Sequence, residues 1–263
     1  STSSVPYSSA AVSKPTFIDI EDASWMWGIL ITDKDRVSTT GICNFPSHMG
    51  SLNYGYASVG GWRRISPKLY NQIPESDVRK GWFLDDTGVS VNLPAAAQAY
   101  ITKKGAPVYT QVKYGPMNDE WGSNNNATDV ILMRVEEMYL IKAEAQAMNN
   151  DVSGGVNTLN SFVNTYRDPS YKCTATTGEA VQEAVWHQRR IEFWGEGLAY
   201  FDIMRLNKGV NRLGCGFPKT AVFNIAAGDP VQIYSIPNKE VQYNPLLENN
   251  PLVSAPTPIP DEE

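Results

Sequence analysis

Two neighbouring carboxylates can act as acid and base on a glycosidic bond, and the chain offers three such pairs: Asp85–Asp86, Asp119–Glu120 and Glu192–Glu196. The chemistry needs two carboxyl groups roughly 5–10 Å apart across a sugar, one of them kept protonated by its surroundings. Glu192 and Glu196 are four positions apart and share a face if the segment is helical. Arg189 and Arg190 lie within a turn and can neutralise both, so an ion-paired structural role is the stronger expectation. Nucleophilic catalysis has less to draw on. There is no G-x-S-x-G, and no local cue joins a Ser or Cys to His48 or His187. The acidic loops Asp85–Asp86 and Asp119–Asp129 offer oxygen ligands for calcium, yet neither follows the alternating pattern of an EF-hand. Two histidines and three cysteines (Cys43, Cys173, Cys215) match no zinc spacing; one bridge, Cys173 to Cys215, stays open.

Aromatic side chains are the more suggestive feature. The chain has 7 Trp, 13 Tyr and 8 Phe, and many fall in a loop-rich first half: Trp25, Trp27, Tyr54, Tyr56, Trp62, Tyr70, Trp82 and Trp121. A flat exposed ring stacks on the apolar face of a sugar, while loop Asn and Arg side chains reach its hydroxyls. Most such rings are expected in the core, because large aromatics are highly buried on average. Trp62 follows Gly60–Gly61 and precedes Arg63, and Tyr54 and Tyr56 flank Gly55. These three rings are the expected stacking platforms, with Asn53 and Arg63 as polar flanks.

The bulk properties narrow the class. The 263 residues carry a formal charge of −6, which argues against a nucleic-acid binder. A composition 42% hydrophobic and 19% charged is that of a globular protein able to bury a core. No apolar run is long enough to span a bilayer, and no signal peptide opens the sequence.

The elements that would position these residues change character at position 130. Residues 1–129 are punctuated by Gly and Pro and predict loops with short elements. Residues 130–263 read as helical. Val130–Met148 (VILMRVEEMYLIKAEAQAM) has the composition and period of a helix, with Asp129 as its N-cap. Ser153 can cap a second helix carrying Leu159, Phe162 and Val163, giving a hairpin of tetratricopeptide size. A third helix is expected from Glu179 to Trp194 behind Thr177, a shorter one over Leu198–Leu206, and a strand over Val231–Ile236. The tail from Pro237 is expected as coil.

Four segments, in this order, resemble the SusD/RagB family: ILMRVEEMYLIKAEAQA at 131–147, VNTLNSFVNTYR at 156–167, HQRRIEFWGEGLAYFDIMRLNKG at 187–209 and YSIPNKEVQYNPLLENNP at 234–251. The third is the most specific. ISPKLYNQIPESDVRKGWF at 65–83 is similar to a looser family segment containing Asp-x-Arg. Leu252 replaces a customary Gly, and Gln188 stands where Glu is common.

The resemblance implies a mainly α fold with long loops and a few short strands. It also implies that the chain is the C-terminal portion of a longer protein, lacking an N-terminal helical lobe and a lipid anchor. The implied function is capture of glycan, or in some members peptide, at the outer face of the outer membrane for a SusC-like TonB-dependent transporter, with no catalysis and no cofactor. A glycoside hydrolase using loop carboxylates is the rival from another class. The motif residues Arg134, Glu137, Arg189, Arg190, Glu192, Glu196, Gly197, Asp202 and Arg205 are read as structural. Arg134–Glu137, Arg189–Glu192 and Asp202–Arg205 are expected as i,i+3 pairs, because charges on apolar helices need partners.

Overall fold

The computed structural model describes residues 12–35, 44–251 and 253–259. The chain divides into two compact units, residues 1–196 and 197–263. In the first unit, β1 (Trp25–Ile29) is followed by the short helices α1 (Phe45–Met49) and α2 (Pro67–Tyr70), then α3 (Ala95–Lys103). Next come β2 (Val130–Arg134), α4 (Val135–Met148), α5 (Val152–Tyr166) and α6 (Gly178–Glu192). The second unit holds α7 (Ala199–Arg205), the two-residue strands β3 (Val210–Asn211) and β4 (Asn224–Ile225), and α8 (Asn238–Tyr243). The fold is mainly helical with long loops, as the sequence implies.

The stretch Val130–Met148 is not one helix. Its first five residues, rich in β-preferring side chains, pair antiparallel with β1, Trp25 opposite Arg134 and Ile29 opposite Val130. Helix α4 starts only at Val135, whose N–H donates to Ser24 O at 2.8 Å. Asp129 caps no helix. Its carboxylate accepts from the backbone of Ile20 and Ile31, both at 2.8 Å, and so ties the loops at the end of the β1–β2 ladder.

Helix α5 is capped by Asp151, which accepts from Gly154 N at 2.9 Å, rather than by Ser153. Helix α6 is opened by Thr177, whose hydroxyl accepts from Ala180 N. Helices α4, α5 and α6 pack together through Leu140, Ala143, Leu159, Phe162, Val163, Val181 and Val185, all at most 1% exposed. Truncating one of the large members would cost about 2–5 kcal/mol.

In the second unit the expected strand Val231–Ile236 does not form. Pro230 has no N–H to give a ladder, and Asp229 caps a 3₁₀ turn over Pro230–Gln232 instead. The tail is not all coil, since α8 lies within it. Cys173 and Cys215 are both free, so the open bridge is not made; Cys43 lies outside the described residues. Among the described residues, no helix is long and apolar enough to cross a membrane.

Candidate functional site

The loop between α1 and α2 carries all five expected ligand-facing residues. It is pinned from below: Tyr54 N donates to Ser123 O (2.8 Å), Gly122 N to Leu52 O (2.7 Å), and Asn126 Nδ2 to Tyr54 O (3.2 Å). Tyr54 is 45% exposed. The Tyr56 ring lies 4.3 Å from the His48 ring, and the Arg63 guanidinium sits 5.9 Å from the Tyr56 centroid. Arg63 Nη1 donates to Gly61 O at 3.3 Å. Trp62 is half-buried and rests on a cluster of Leu52, Leu84, Ala97, Ile101 and Val112, beside Tyr100 and Trp121. The loop therefore offers one open phenol ring, one partly covered ring and one indole on a rigid apolar support.

Asn53 does not flank this surface. It is 4% exposed, and its amide donates to Asn126 Oδ1 and to Pro46 O, so it braces the loop from inside.

Trp27, one of the first-half aromatics but not among the three expected platforms, adds a further exposed ring. It is 63% exposed on β1, next to Met26 at 46%. Strict alternation would place Trp25 and Trp27 on the same face. The ladder shifts register on both sides of Trp27, and that irregularity turns its ring outward while Trp25 stays buried.

The charged motif residues do something else. Glu192 is wholly buried and accepts from Arg134 Nη1 at 2.6 Å, Arg79 Nη1 at 3.1 Å, and Arg167 Nε and Nη2 at 2.9 Å each. Glu196 accepts from Arg134 Nε and Nη2, and from Lys113 Nζ at 2.5 Å. Glu136 takes Arg134 and Arg167 at 3.2 Å each, while Asp77 forms a two-pronged pair with Arg79. Arg79, Lys113, Arg134 and Arg167 thus balance Asp77, Glu136, Glu192 and Glu196.

The expected i,i+3 pairing is corrected at two of its three places. Arg134 pairs with Glu136, Glu192 and Glu196, and Arg189 Nη2 donates to Glu137 at 3.0 Å, so the partners come from different elements. Of the three expected pairs, Asp202–Arg205, inside α7, is made at 2.8 Å. Arg190 stacks on Trp186 at 5.2 Å. Glu192 and Glu196 do not share a helical face, because α6 ends at Glu192 and Gly195 has φ 80°.

Electrostatics suit a scaffold better than an acid–base pair. The surrounding guanidinium groups outweigh burial and hold the Glu192 carboxyl well below its ordinary value, and Arg134 and Lys113 lower Glu196 likewise. A general acid needs the opposite shift. Burial pulls Lys113 down to about 8, although Glu196 opposes the change. Asp85 is occupied by its own turn, accepting from Thr87 N, Thr87 Oγ1 and Val89 N at 2.7–2.9 Å.

The SusD family profile matches residues 74–252. A SusD superfamily structure from Bacteroides thetaiotaomicron superposes with a TM-score of 0.69 at 22% identity, over 94% of this chain and 52% of that one. A SusD-like carbohydrate binding protein from Bacteroides vulgatus gives 0.61 at 23% identity, over 90% and 43%. A second Bacteroides vulgatus structure of the superfamily gives 0.63 at 22%, over 87% and 46%. The chain spans about half the length of these proteins. No curated protein matches it. A profile match over more than half of the sequence, on a fold shared with solved members, shows that the chain belongs to the SusD family.

Proposed function

We propose that this chain captures glycan at the cell surface, binding without catalysis and passing its ligand to a SusC-like TonB-dependent transporter. The parent protein would be held at the outer face of the outer membrane by a lipid anchor. The observation that carries the reading is the exposed Tyr54 ring, on a loop fixed by backbone hydrogen bonds that also carries the Tyr56–His48–Arg63 group. Preformed aromatic surface with nearby polar groups is the arrangement that binds sugars at low ordering cost. A structural relative described as a carbohydrate binding protein supports the same reading.

Affinity electrophoresis through gels containing a panel of polysaccharides tests it. Capture predicts retardation in at least one glycan, reduced by Tyr54→Ala and by Trp62→Ala. Unchanged mobility in every gel would overturn the reading and move attention to peptide ligands. Sustained release of reducing ends from a retarding glycan would instead favour hydrolysis by Asp85, Asp86, Asp119 or Glu120.

A further inference from the structure

On the same unit, a cleft of about 710 Å³ opens between α2, the 3₁₀ turn Val78–Trp82, the 85–92 loop and Tyr109. Its size falls within the range of about 300–1,000 Å³ typical of small-ligand sites. Tyr109 and Tyr70 form an aromatic corner with centroids 5.1 Å apart, backed by Phe83. Tyr109 has φ 64°, a conformation uncommon for a bulky residue. Ile65 N donates to Tyr109 O at 3.0 Å, and Tyr109 N donates to Leu84 O at 3.1 Å, so both sides of the residue are fixed by backbone.

The charged part of the lining is mostly acidic, among neutral groups that include Asn71, Ser76 and Asn92. Glu75, Asp77, Asp85 and Asp86 face a single ammonium, Lys80. Lys80 is drawn to Glu75 and lies 5.0 Å from the Tyr70 ring, and Asp77 is committed to Arg79. Asp86 stands exposed at the rim. The potential is felt at Tyr70: burial first, then Asp85, Glu75 and Asp86, push its phenol up to about 12.

We propose that this cleft is a second carbohydrate subsite, with the half-buried Tyr109 as its stacking ring on the buried Tyr70, that accepts non-anionic sugar units and excludes uronate-bearing chains through its carboxylates. The inference rests on the glycan-capture reading and assigns a second point of contact on one polysaccharide. Two such contacts on one unit raise the effective affinity without a tighter individual site.

The test is affinity electrophoresis of the protein and its Tyr54→Ala, Tyr109→Asn and Asp86→Lys variants, in gels of neutral glucans, mannan and xylan and in gels of polygalacturonate. Asparagine tolerates the left-handed backbone at 109, so that variant removes the ring with least disturbance. The expected result is retardation in a neutral polysaccharide, weakened about tenfold by Tyr109→Asn, a loss of about 1.4 kcal/mol. Asp86→Lys, which reverses the charge of an exposed carboxylate of the cleft, should gain retardation in polygalacturonate. If Tyr54→Ala loses retardation while Tyr109→Asn and Asp86→Lys match the parent in every gel, capture stands and the cleft is not a subsite. Retardation of the parent in polygalacturonate alone overturns the charge selectivity. No retardation in any gel overturns both readings.

Discussion

Arg134 and Glu192 lie 58 positions apart in the sequence and meet at 2.6 Å between Nη1 and Oε1, both out of contact with water. Arg134 ends β2 and Glu192 ends α6, so this contact ties the small sheet to the helical layer. Arg167, from the end of α5, and Arg79, from the 3₁₀ turn after α2, reach the same carboxylate. One buried group therefore sets the mutual placement of four segments.

Removing that group should be severe. Glu192→Gln deletes the charge that three buried guanidinium groups share, and an uncompensated buried charge costs about 3–5 kcal/mol. The expected outcome is a lower urea midpoint with little change in slope. Glu75→Ala, whose side chain is 89% exposed in its pair with Lys80, should cost no more than about 1 kcal/mol. Equal losses in the two variants would remove Glu192 from its central role.

The pH dependence should have a distinctive alkaline limb. Lys113 is held down to about 8 in the fold, against an ordinary 10.5, chiefly by burial. Between those values the unfolded chain holds the extra proton, so stability rises with pH, by about 2 kcal/mol from pH 8 to 10. Above about 10 the trend reverses, because the Tyr70 phenol keeps its proton to about 12 in the fold. On the acid side Glu192 and Glu196 are depressed, and their contribution is lost as pH falls below the ordinary carboxylate range. Urea unfolding across pH 3–11 measures the curve. Lys113→Met should flatten the rise between 8 and 10, and an unaltered rise would assign it to another group.

The helical half was readable because its apolar period is strong, and α5 and α6 form close to where composition and the Thr177 cap put them. The ion pairs were readable as a need for partners, since charge on an apolar face must be matched, but their identity was not. Local spacing pointed Arg134 to Glu137, whereas burial against a second element pairs it with Glu192, Glu196 and Glu136. Lys113 and Glu136 gave no local signal at all, because their partners arrive through tertiary packing. Asn53 was expected at the surface and Trp27 was not singled out, for the same reason. Which side of a loop or strand faces water depends on Asn126 in one case and on a register shift in the other.

The chain turn after α6 gives a third test. Gly195 has φ 80°, and a Cβ placed there would come within 2.7 Å of Met49 Cε and 3.2 Å of the Tyr114 hydroxyl. Gly197 has φ 84° with nothing near its would-be Cβ. Both alanine variants should lose about 1–2 kcal/mol from left-handed strain. Gly195→Ala should lose more, because Met49 must also move. Matching midpoints for the two would mean that Met49 yields at no cost.

The aromatic loop gives the last test, and Tyr54 and Tyr56 separate binding from support. The Tyr56 ring carries both His48 and Arg63, so Tyr56→Ala should lower stability as well as glycan retardation. Tyr54 is 45% exposed, and its backbone rather than its ring holds the loop to Ser123 and Asn126. Its replacement by Ala should leave the unfolding midpoint within about 0.5 kcal/mol of the parent, as for other surface substitutions. A lost stacking partner should still weaken retardation about tenfold, or about 1.4 kcal/mol. Electrophoresis and urea unfolding on the same preparations decide the matter. A Tyr54→Ala protein that binds as well as the parent would shift the platform to Trp62 or Trp27, and one that loses stability in proportion to binding would make Tyr54 a supporting residue like Tyr56.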